Sequence, residues 1–451
     1  MTWTDELAAE LGIEVPTDRD VLAGVSRDHA PLAPAGTASA LVRARSIADV
    51  QTTLRFASAR GIAVVPRGAG TGLAGGANAV DGCIVLSVAA MSRILSLDVA
   101  TRTATVEPGV LNGALASAAA ASGLYYAPDP ASRDISTIGG NIATNAGGSC
   151  CLKYGVTGDH VAALGVVLAD GTLIRTGATT RKDVSGLDLT RLVIGSEGIL
   201  GVVVEATVRL LRARRAPSTL VAVFDTPGAA GTAILAMQAM SEPSLLEIMD
   251  RTTVAAVERL TNMGLDTAAG AMVLMQFDSV DSAEVASACE AVCRAHGARD
   301  VMHTDDLDEG KQLLAARRMA LPALERMGRT MLDDVAVPIP ALPAMLARVP
   351  EIAARHDVVI GTFGHAGDGN LHPTIVFPRG DDAALARAAA AFDEIVLAAL
   401  DLGGTISGEH GVGSLKRPYL ARMHGSAERA LMLRIKAAFD PQGILNPGKK
   451  L

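Results

Sequence analysis

The sequence predicts an α+β fold of more than one domain, and three observations carry that prediction. From Ile62 onward, short apolar runs closed by turn residues alternate with helix-like stretches. The chain has 451 residues, beyond the length at which a single hydrophobic core keeps growing. Its rhythm then changes after Arg212-Ala-Arg-Arg-Ala-Pro-Ser218, a charged run carrying Pro and Ser that reads as a domain edge.

The first region, residues 1–214, offers strand signals at Ile62–Val65, Ile84–Leu86, Thr103–Val106 and Val161–Leu168. The last of these runs into Asp170-Gly171, a hairpin turn signal. A helix is expected over Leu111–Ser122, opened by Asn112 and stopped by Gly123. In the second region, residues 215–430, strands are expected at Leu220–Phe224 and Met272–Phe277. Helices follow them, one to Met240 and one over Glu284–His296, giving an antiparallel sheet with helices on one face. Residues 431–451 read as a short helix and a tail fixed by Pro441, Gly443, Pro447 and Gly448.

Composition excludes several function classes. A formal net charge of -8 argues against a nucleic-acid partner, which needs a clustered positive surface. The most apolar long stretch, Ala383–Leu402, is interrupted by Arg387, Asp393 and Glu394, so no transmembrane segment is expected. The acidic start, Met-Thr-Trp-Thr-Asp-Glu-Leu, lacks the features of a signal peptide, and the expected location is cytoplasmic. Five cysteines, with no C-x-x-C pair among them, read as reduced structural thiols rather than an iron-sulfur centre.

Two glycine-rich segments carry the first chemistry. Val64-Val-Pro-Arg-Gly-Ala-Gly-Thr-Gly-Leu-Ala-Gly-Gly76 follows a strand, so its backbone N–H groups can converge on a phosphate without Cβ clashes. A dinucleotide fingerprint would need a helix directly after the glycines, and the next structured run here is another strand, Cys83–Ser87. The second segment comprises Pro128-Asp-Pro-Ala-Ser132, then Thr137-Ile-Gly-Gly-Asn-Ile-Ala-Thr-Asn-Ala-Gly-Gly148, then Lys153-Tyr-Gly155. Small residues and short hydroxyl or amide side chains suit a long, flat, polar cofactor.

A histidine set carries the second. His365-Ala-Gly-Asp-Gly-Asn-Leu-His372 and Ser407-Gly-Glu-His-Gly-Val-Gly413 together offer three metal-ligand candidates and a spare imidazole. Histidines seven apart do not share a helix face. Val358–Phe363 and Pro373–Phe377 read as strands, however, and a hairpin would bring His365 and His372 together at the base of its loop.

With Gly195-Ser-Glu-Gly-Ile-Leu-Gly201 added, these motifs resemble the FAD-binding domain of the vanillyl-alcohol oxidase and p-cresol methylhydroxylase superfamily. Within it the chain is similar, from about Pro34 to Leu451, to the glycolate oxidase flavoprotein subunit and the FAD-linked D-lactate and D-2-hydroxyglutarate dehydrogenases. The resemblance implies a two-part FAD-binding domain, an α+β cap domain over the substrate, and a C-terminal helix returning to the first domain. It implies that Arg67, Gly68, Ala69, Gly70, Thr71 and Gly72 cradle the FAD pyrophosphate. Ser132, Thr137, Ile138, Gly139, Gly140, Asn141, Ala143, Thr144, Gly147, Gly148, Glu197 and Ile199 would lie along the rest. Some relatives tether flavin through a His in the first loop, and none occurs between Val64 and Ala79, so noncovalent FAD is expected.

The same resemblance gives His365, His372 and Glu409 a divalent metal (Zn, Mn or Fe), His410 the role of catalytic base, and Arg317 the substrate carboxylate. Arg318 reads as a solvated helix residue. The chain departs from the 2-hydroxyglutarate enzymes at Leu321 and Leu332, where they carry Thr and Lys, and at Thr374, where they carry Asn. Leucines cannot satisfy a second buried carboxylate. The expected reaction is therefore oxidation of a small 2-hydroxy acid, of the glycolate or D-lactate type. Two alternatives stand beside it, a D-2-hydroxyglutarate-type dehydrogenase and an electron-relay subunit of a glycolate oxidase complex. The acceptor is open among quinone, cytochrome and electron-transferring flavoprotein, with partner subunits or a homodimer and peripheral attachment to the inner face of the membrane as further options.

Overall fold

The aliphatic run Ile84-Val-Leu fits a strand buried on both faces, which is the pattern of parallel pairing. In the computed structural model, which describes residues 2–451, Ile84–Ser87 lies between Ala40–Arg43 and Val64–Arg67, parallel to both. The chain divides into two compact units. One holds residues up to Gly147 with Gly155–Ala213 and Glu409–Leu451; the other holds Gly148–Tyr154 and Arg214–Gly408.

In the first unit, helix Ile47–Arg60 links two of the parallel strands and starts at Ser46, whose hydroxyl accepts the Asp49 N–H. Its Val50, Leu54 and Phe56 meet Val42, Val64 and Leu86 in one core, joined by Leu7 near the N-terminus and by Ile444 and Leu445 near the C-terminus. The tail binds as an extra strand would: Val64 N donates to Ile444 O and Asn446 N to Val64 O, both at 2.8 Å. A second, antiparallel sheet runs Ile94–Asp98, Thr103–Val106, Val202–Arg209, Val161–Val167, Leu173–Gly177. Its last two strands turn at Asp170-Gly171, and helix Asn112–Ala121 supplies Leu115 and Ala119 to its core.

In the second unit all strands are antiparallel. Their order is Ala298–Thr304, Ser218–Phe224, Ala271–Phe277, Leu245–Asp250, Val359–His365, Asn370–Phe377, Arg329–Leu332, with Val335–Ala336 also beside Asn370–Phe377. Helices cover both faces, not one. Arg251–Thr261, Leu307–Arg318 and Ala320–Glu325 pack with Leu245, Met249, Phe363 and Val376. The alternate residues Leu246, Ile248, Val273 and Ile375 are buried too, and Pro227–Gln238, Ser282–Ala295, Leu342–His356 and Asp382–Asp401 form a second mutually packed layer.

Two boundaries differ from the sequence expectation. The chain re-enters the first unit at Glu409 rather than near residue 431, and Gly148–Tyr154 belongs with the second unit. A buried carboxylate explains the latter: Lys153 and Tyr154 both donate to Asp278, as does Arg214 Nε at 2.6 Å. The short segment and the start of the long one are therefore tied to the same side chain. Burial acts to raise the Asp278 carboxyl, but the hydrogen bonds from Lys153, Tyr154 and Arg214 hold it below the usual carboxylate range.

Candidate active site

His365 and His372 lie inside the paired strands rather than in the loop between them, which shrinks to Ala366–Gly369. The pairing extends because His365 stands opposite Asn370 and Phe363 opposite His372. A residue two further along the partner strand shares the same face, so the two imidazoles become diagonal neighbours. Their ring centroids are 5.2 Å apart with planes at 87°, and a ring nitrogen of each lies within 4.8 Å of the other's. Both residues are buried.

Carboxylates stand behind both rings. Glu247 lies directly opposite His365 on the adjacent strand, and its Oε1 is 2.6 Å from His365 Nδ1. Accepting the Nδ1 proton fixes the tautomer that leaves Nε2 as a lone-pair donor. Asp334 Oδ1 is 3.8 Å from His372 Nδ1, and Asp334 is itself held by Asn370 Nδ2 and Ser407 Oγ, each at 2.8 Å. Paired imidazoles backed by oriented carboxylates have the donor chemistry of a divalent-metal site, so the residues of this unit fit the metal that the sequence suggests.

Arg317, on helix Leu307–Arg318, reaches the same carboxylate. Its Nη2 is 2.6 Å from Glu247 Oε2, and its guanidinium carbon stands 4.8 Å from the centre of the Phe363 ring. Glu247 is fully buried; burial acts to raise its carboxyl, but the charge of Arg317 and the hydrogen bond with His365 hold it below the usual range. The Nε of Arg317 is buried with no protein partner among the described residues. One donor of the fork remains for a ligand. Arg318, next in the chain, is exposed. Leu332 pairs with Thr374 on the sheet face that carries His372, and Leu321 and Leu332 are half-buried against the cluster that includes Phe363.

The first unit brings its two glycine-rich segments together. Arg67 ends its strand, and a Cβ at Gly68 would overlap the Thr137 hydroxyl, which caps helix Ile138–Thr144 by accepting the Gly140 N–H at 3.3 Å. Asn141 Nδ2 donates to Asn112 Oδ1, and Asn112 in turn to the Pro128 carbonyl, so the Pro128–Ser132 segment is tied to the same helix. Glycine and small polar residues line this junction, as a flat dinucleotide requires, and the residues present fit FAD. Arg67 is partly desolvated, which lowers its pKa. Ala143 O accepts the Glu197 N–H, but both Glu197 carboxylate oxygens are engaged elsewhere, by the N–H groups of Val412 and Gly413.

Glu409 and His410 open the last segment of this unit, one peptide bond beyond Gly408. His410 Nε2 is 3.7 Å from Glu409 Oε1, and both side chains are largely buried. Glu409 also explains Gly147: a Cβ there would collide with the Glu409 carboxylate.

Sequence reasoning did not single out Glu247, Asp334 or Asp278. Each lies in or beside a strand, and nothing local marks the partners it meets. Glu247, within Leu245-Leu-Glu-Ile-Met249, carried the one available signal, a charge flanked on both sides by apolar core residues.

A glycine-lined cradle in one unit, with paired imidazoles on a sheet face and an arginine reaching their carboxylate from a helix in the other, fits a flavin-dependent oxidoreductase. The chain belongs to the FAD-linked oxidases: residues 38–177 match the FAD binding domain, and residues 214–450 match the C-terminal domain of FAD linked oxidases. It is 42% identical to glycolate oxidase subunit GlcD of Bacillus subtilis over 91% of this chain and 88% of that one. It is 36% identical to D-lactate dehydrogenase of Anaerostipes hadrus over 91% and 88%. Among solved structures it resembles 4-ethylphenol oxidase from Gulosibacter chungangensis, with a TM-score of 0.81 at 18% identity over 99% of this chain and 96% of that one, a likeness of fold. No helix among the described residues is long and apolar enough to cross a membrane.

Proposed function

We propose that the chain oxidises a small 2-hydroxy acid of the glycolate or D-lactate type to the 2-oxo acid. The observation that carries this reading is the Glu247 clamp, one buried carboxylate joining the imidazole His365 to the carboxylate-binding candidate Arg317. A 2-hydroxy acid presents two oxygen groups one carbon apart, and this arrangement offers a cation for one and paired imidazoles beside the other. The names of the B. subtilis and A. hadrus relatives agree with that substrate class.

In this reading Arg317 binds the substrate carboxylate through the donors that Glu247 leaves to it. His365 and His372 would hold a divalent ion with Glu409 as third ligand. Such an ion, when bound, lowers the pKa of a hydroxyl it contacts. His410 accepts the hydroxyl proton, help worth roughly two to four powers of ten in rate. Arg67–Gly72 and the Thr137–Thr144 segment would hold FAD, which when bound would supply the acceptor for the hydride from C2.

Each turnover leaves two electrons to be passed on. We propose a quinone, a cytochrome or an electron-transferring flavoprotein as acceptor, with partner chains as the word subunit in the B. subtilis name suggests. Leu321 and Leu332 argue against a second substrate carboxylate. Anaerobic mixing with D- and L-2-hydroxy acids, before and after chelation, tests the reading. Bleaching of the flavin by glycolate or D-lactate, slowed by chelation, is expected; a flavin that no 2-hydroxy acid reduces would overturn it.

A further inference from the structure

Glu197 adopts a left-handed backbone conformation, φ 54°, in the turn Gly195–Gly201, and is 5% exposed. For a residue with a Cβ this conformation is disfavoured and persists only where the surroundings enforce it. Here they enforce it from three sides. Glu197 N donates to Ala143 O at 2.8 Å, on the helix that follows Thr137. Asn446 Nδ2 donates to Glu197 O at 2.7 Å, from the C-terminal tail. The carboxylate is gripped by two successive backbone donors, Val412 N to Oε1 and Gly413 N to Oε2, both at 2.7 Å. Consecutive N–H groups closing on one anion form a backbone nest, and charge-assisted bonds of this length are the strong ones. Lys450 Nζ, 3.4 Å from Oε1, adds a counter-charge.

The gripped residues stand two and three positions after His410. Gly411, between them, has φ 87°, and a Cβ there would stand 2.9 Å from Glu197 Oε1. That turn is therefore shaped around the glutamate. The far side of the loop is fixed as well, by Leu415 N on Ala74 O and Lys450 N on Gly413 O, both at 3.1 Å. All of these groups belong to the first unit.

We propose that Glu197 is a positioning residue for His410. Its backbone is tied to the helix of the FAD cradle and its carboxylate to the turn that carries the base, so one side chain sets where the imidazole stands relative to that cradle. The resemblance to flavoenzymes puts Glu197 along the cofactor; in this structure each of its carboxylate oxygens accepts an N–H from the turn after His410. The proposal rests on the reading of His410 as the base.

Glu197→Gln keeps the length and offers one acceptor where two are needed, turning its amide NH2 against the other N–H. Gly411→Ala strains the same turn from the opposite side. In metal-saturated protein under anaerobic conditions, with glycolate or D-lactate as probe, each variant is expected to keep FAD affinity and KM within about threefold of the parent. Each should slow flavin reduction at least about tenfold, as misplacing a catalytic group by a fraction of an ångström does. The double variant should lose little more than the slower single one, because both act on one turn. His410→Ala separates the two claims. Fast reduction in that variant removes the base reading. Slow reduction in His410→Ala with parental reduction in Glu197→Gln and Gly411→Ala removes the positioning role alone. Loss of FAD affinity with an unchanged reduction rate in either variant would instead make Glu197 a cofactor-binding group; should Glu197→Gln not fold, Gly411→Ala decides the matter.

Discussion

His372 stands diagonally across a strand pair from His365, ring centroids 5.2 Å apart and planes nearly perpendicular. The register creates this pair: the four-residue turn Ala366–Gly369 makes Phe363 the partner of His372, and a slip of one residue would send one ring to the opposite face. The first expectation follows directly. Purified protein should take up one divalent ion per chain, and His372→Ala should lose it while keeping FAD. Metal analysis after dialysis checks this; unchanged metal content in His372→Ala would remove the pair from the metal site.

Glu247 should matter to metal and substrate together. In Glu247→Gln the neutral amide no longer balances Arg317, and its hold on the His365 tautomer weakens. Loss of such an outer carboxylate typically costs 10–100-fold in metal affinity. A loss in that range, with a raised KM for the hydroxy acid, is expected from competition titration and steady-state kinetics. A variant in which only one of the two quantities moves would show that the clamp does not couple them.

Gly147 gives a steric test of Glu409. A Cβ there would lie 3.1 Å from Glu409 Cβ and overlap the carboxylate, so Gly147→Ala must displace the glutamate. Metal affinity is expected to fall at least about tenfold with the fold intact, by the order of effect that disturbing a ligand shell produces. Parental affinity in Gly147→Ala would count against Glu409 as a ligand.

Asp278 makes a prediction about acid stability. Its folded pKa lies below the unfolded value near 3.9. Its contribution is therefore fully present above about pH 5 and is lost as pH falls through the lower folded value. Asp278→Asn should cost about 3 kcal/mol at neutral pH, the low end for a broken buried pair, because Lys153 and Arg214 keep 26% and 20% exposure. The gap between parent and variant should narrow below about pH 4 in thermal melts. A gap independent of pH would contradict the charge assignment.

Much of this architecture is legible in the sequence, and the misses have physical causes. The Asp170-Gly171 turn and the strand run Met272–Phe277 are local signals, set by turn chemistry and by a short apolar stretch, and strands form there. The histidines pair as expected but lie in the strands, because Gly367 and Gly369 read as an interruption of the whole stretch when they shape only its four-residue turn. The return of the chain at Glu409, well before the last helix, leaves no local mark. It depends on Glu197, more than two hundred residues away, accepting two backbone hydrogen bonds. Glu247 escapes sequence reasoning for the same cause, since the value of a buried acid lies in partners that only the sheet register and a distant helix bring to it.

The most direct test of the central claim is the rate of anaerobic flavin reduction by glycolate or D-lactate in His410→Ala against the parent. The expected result is a variant that keeps its yellow cofactor and its metal but reduces the flavin slower by about two to four powers of ten. Bleaching at the parental rate would contradict the assignment of His410 as the group that takes the hydroxyl proton.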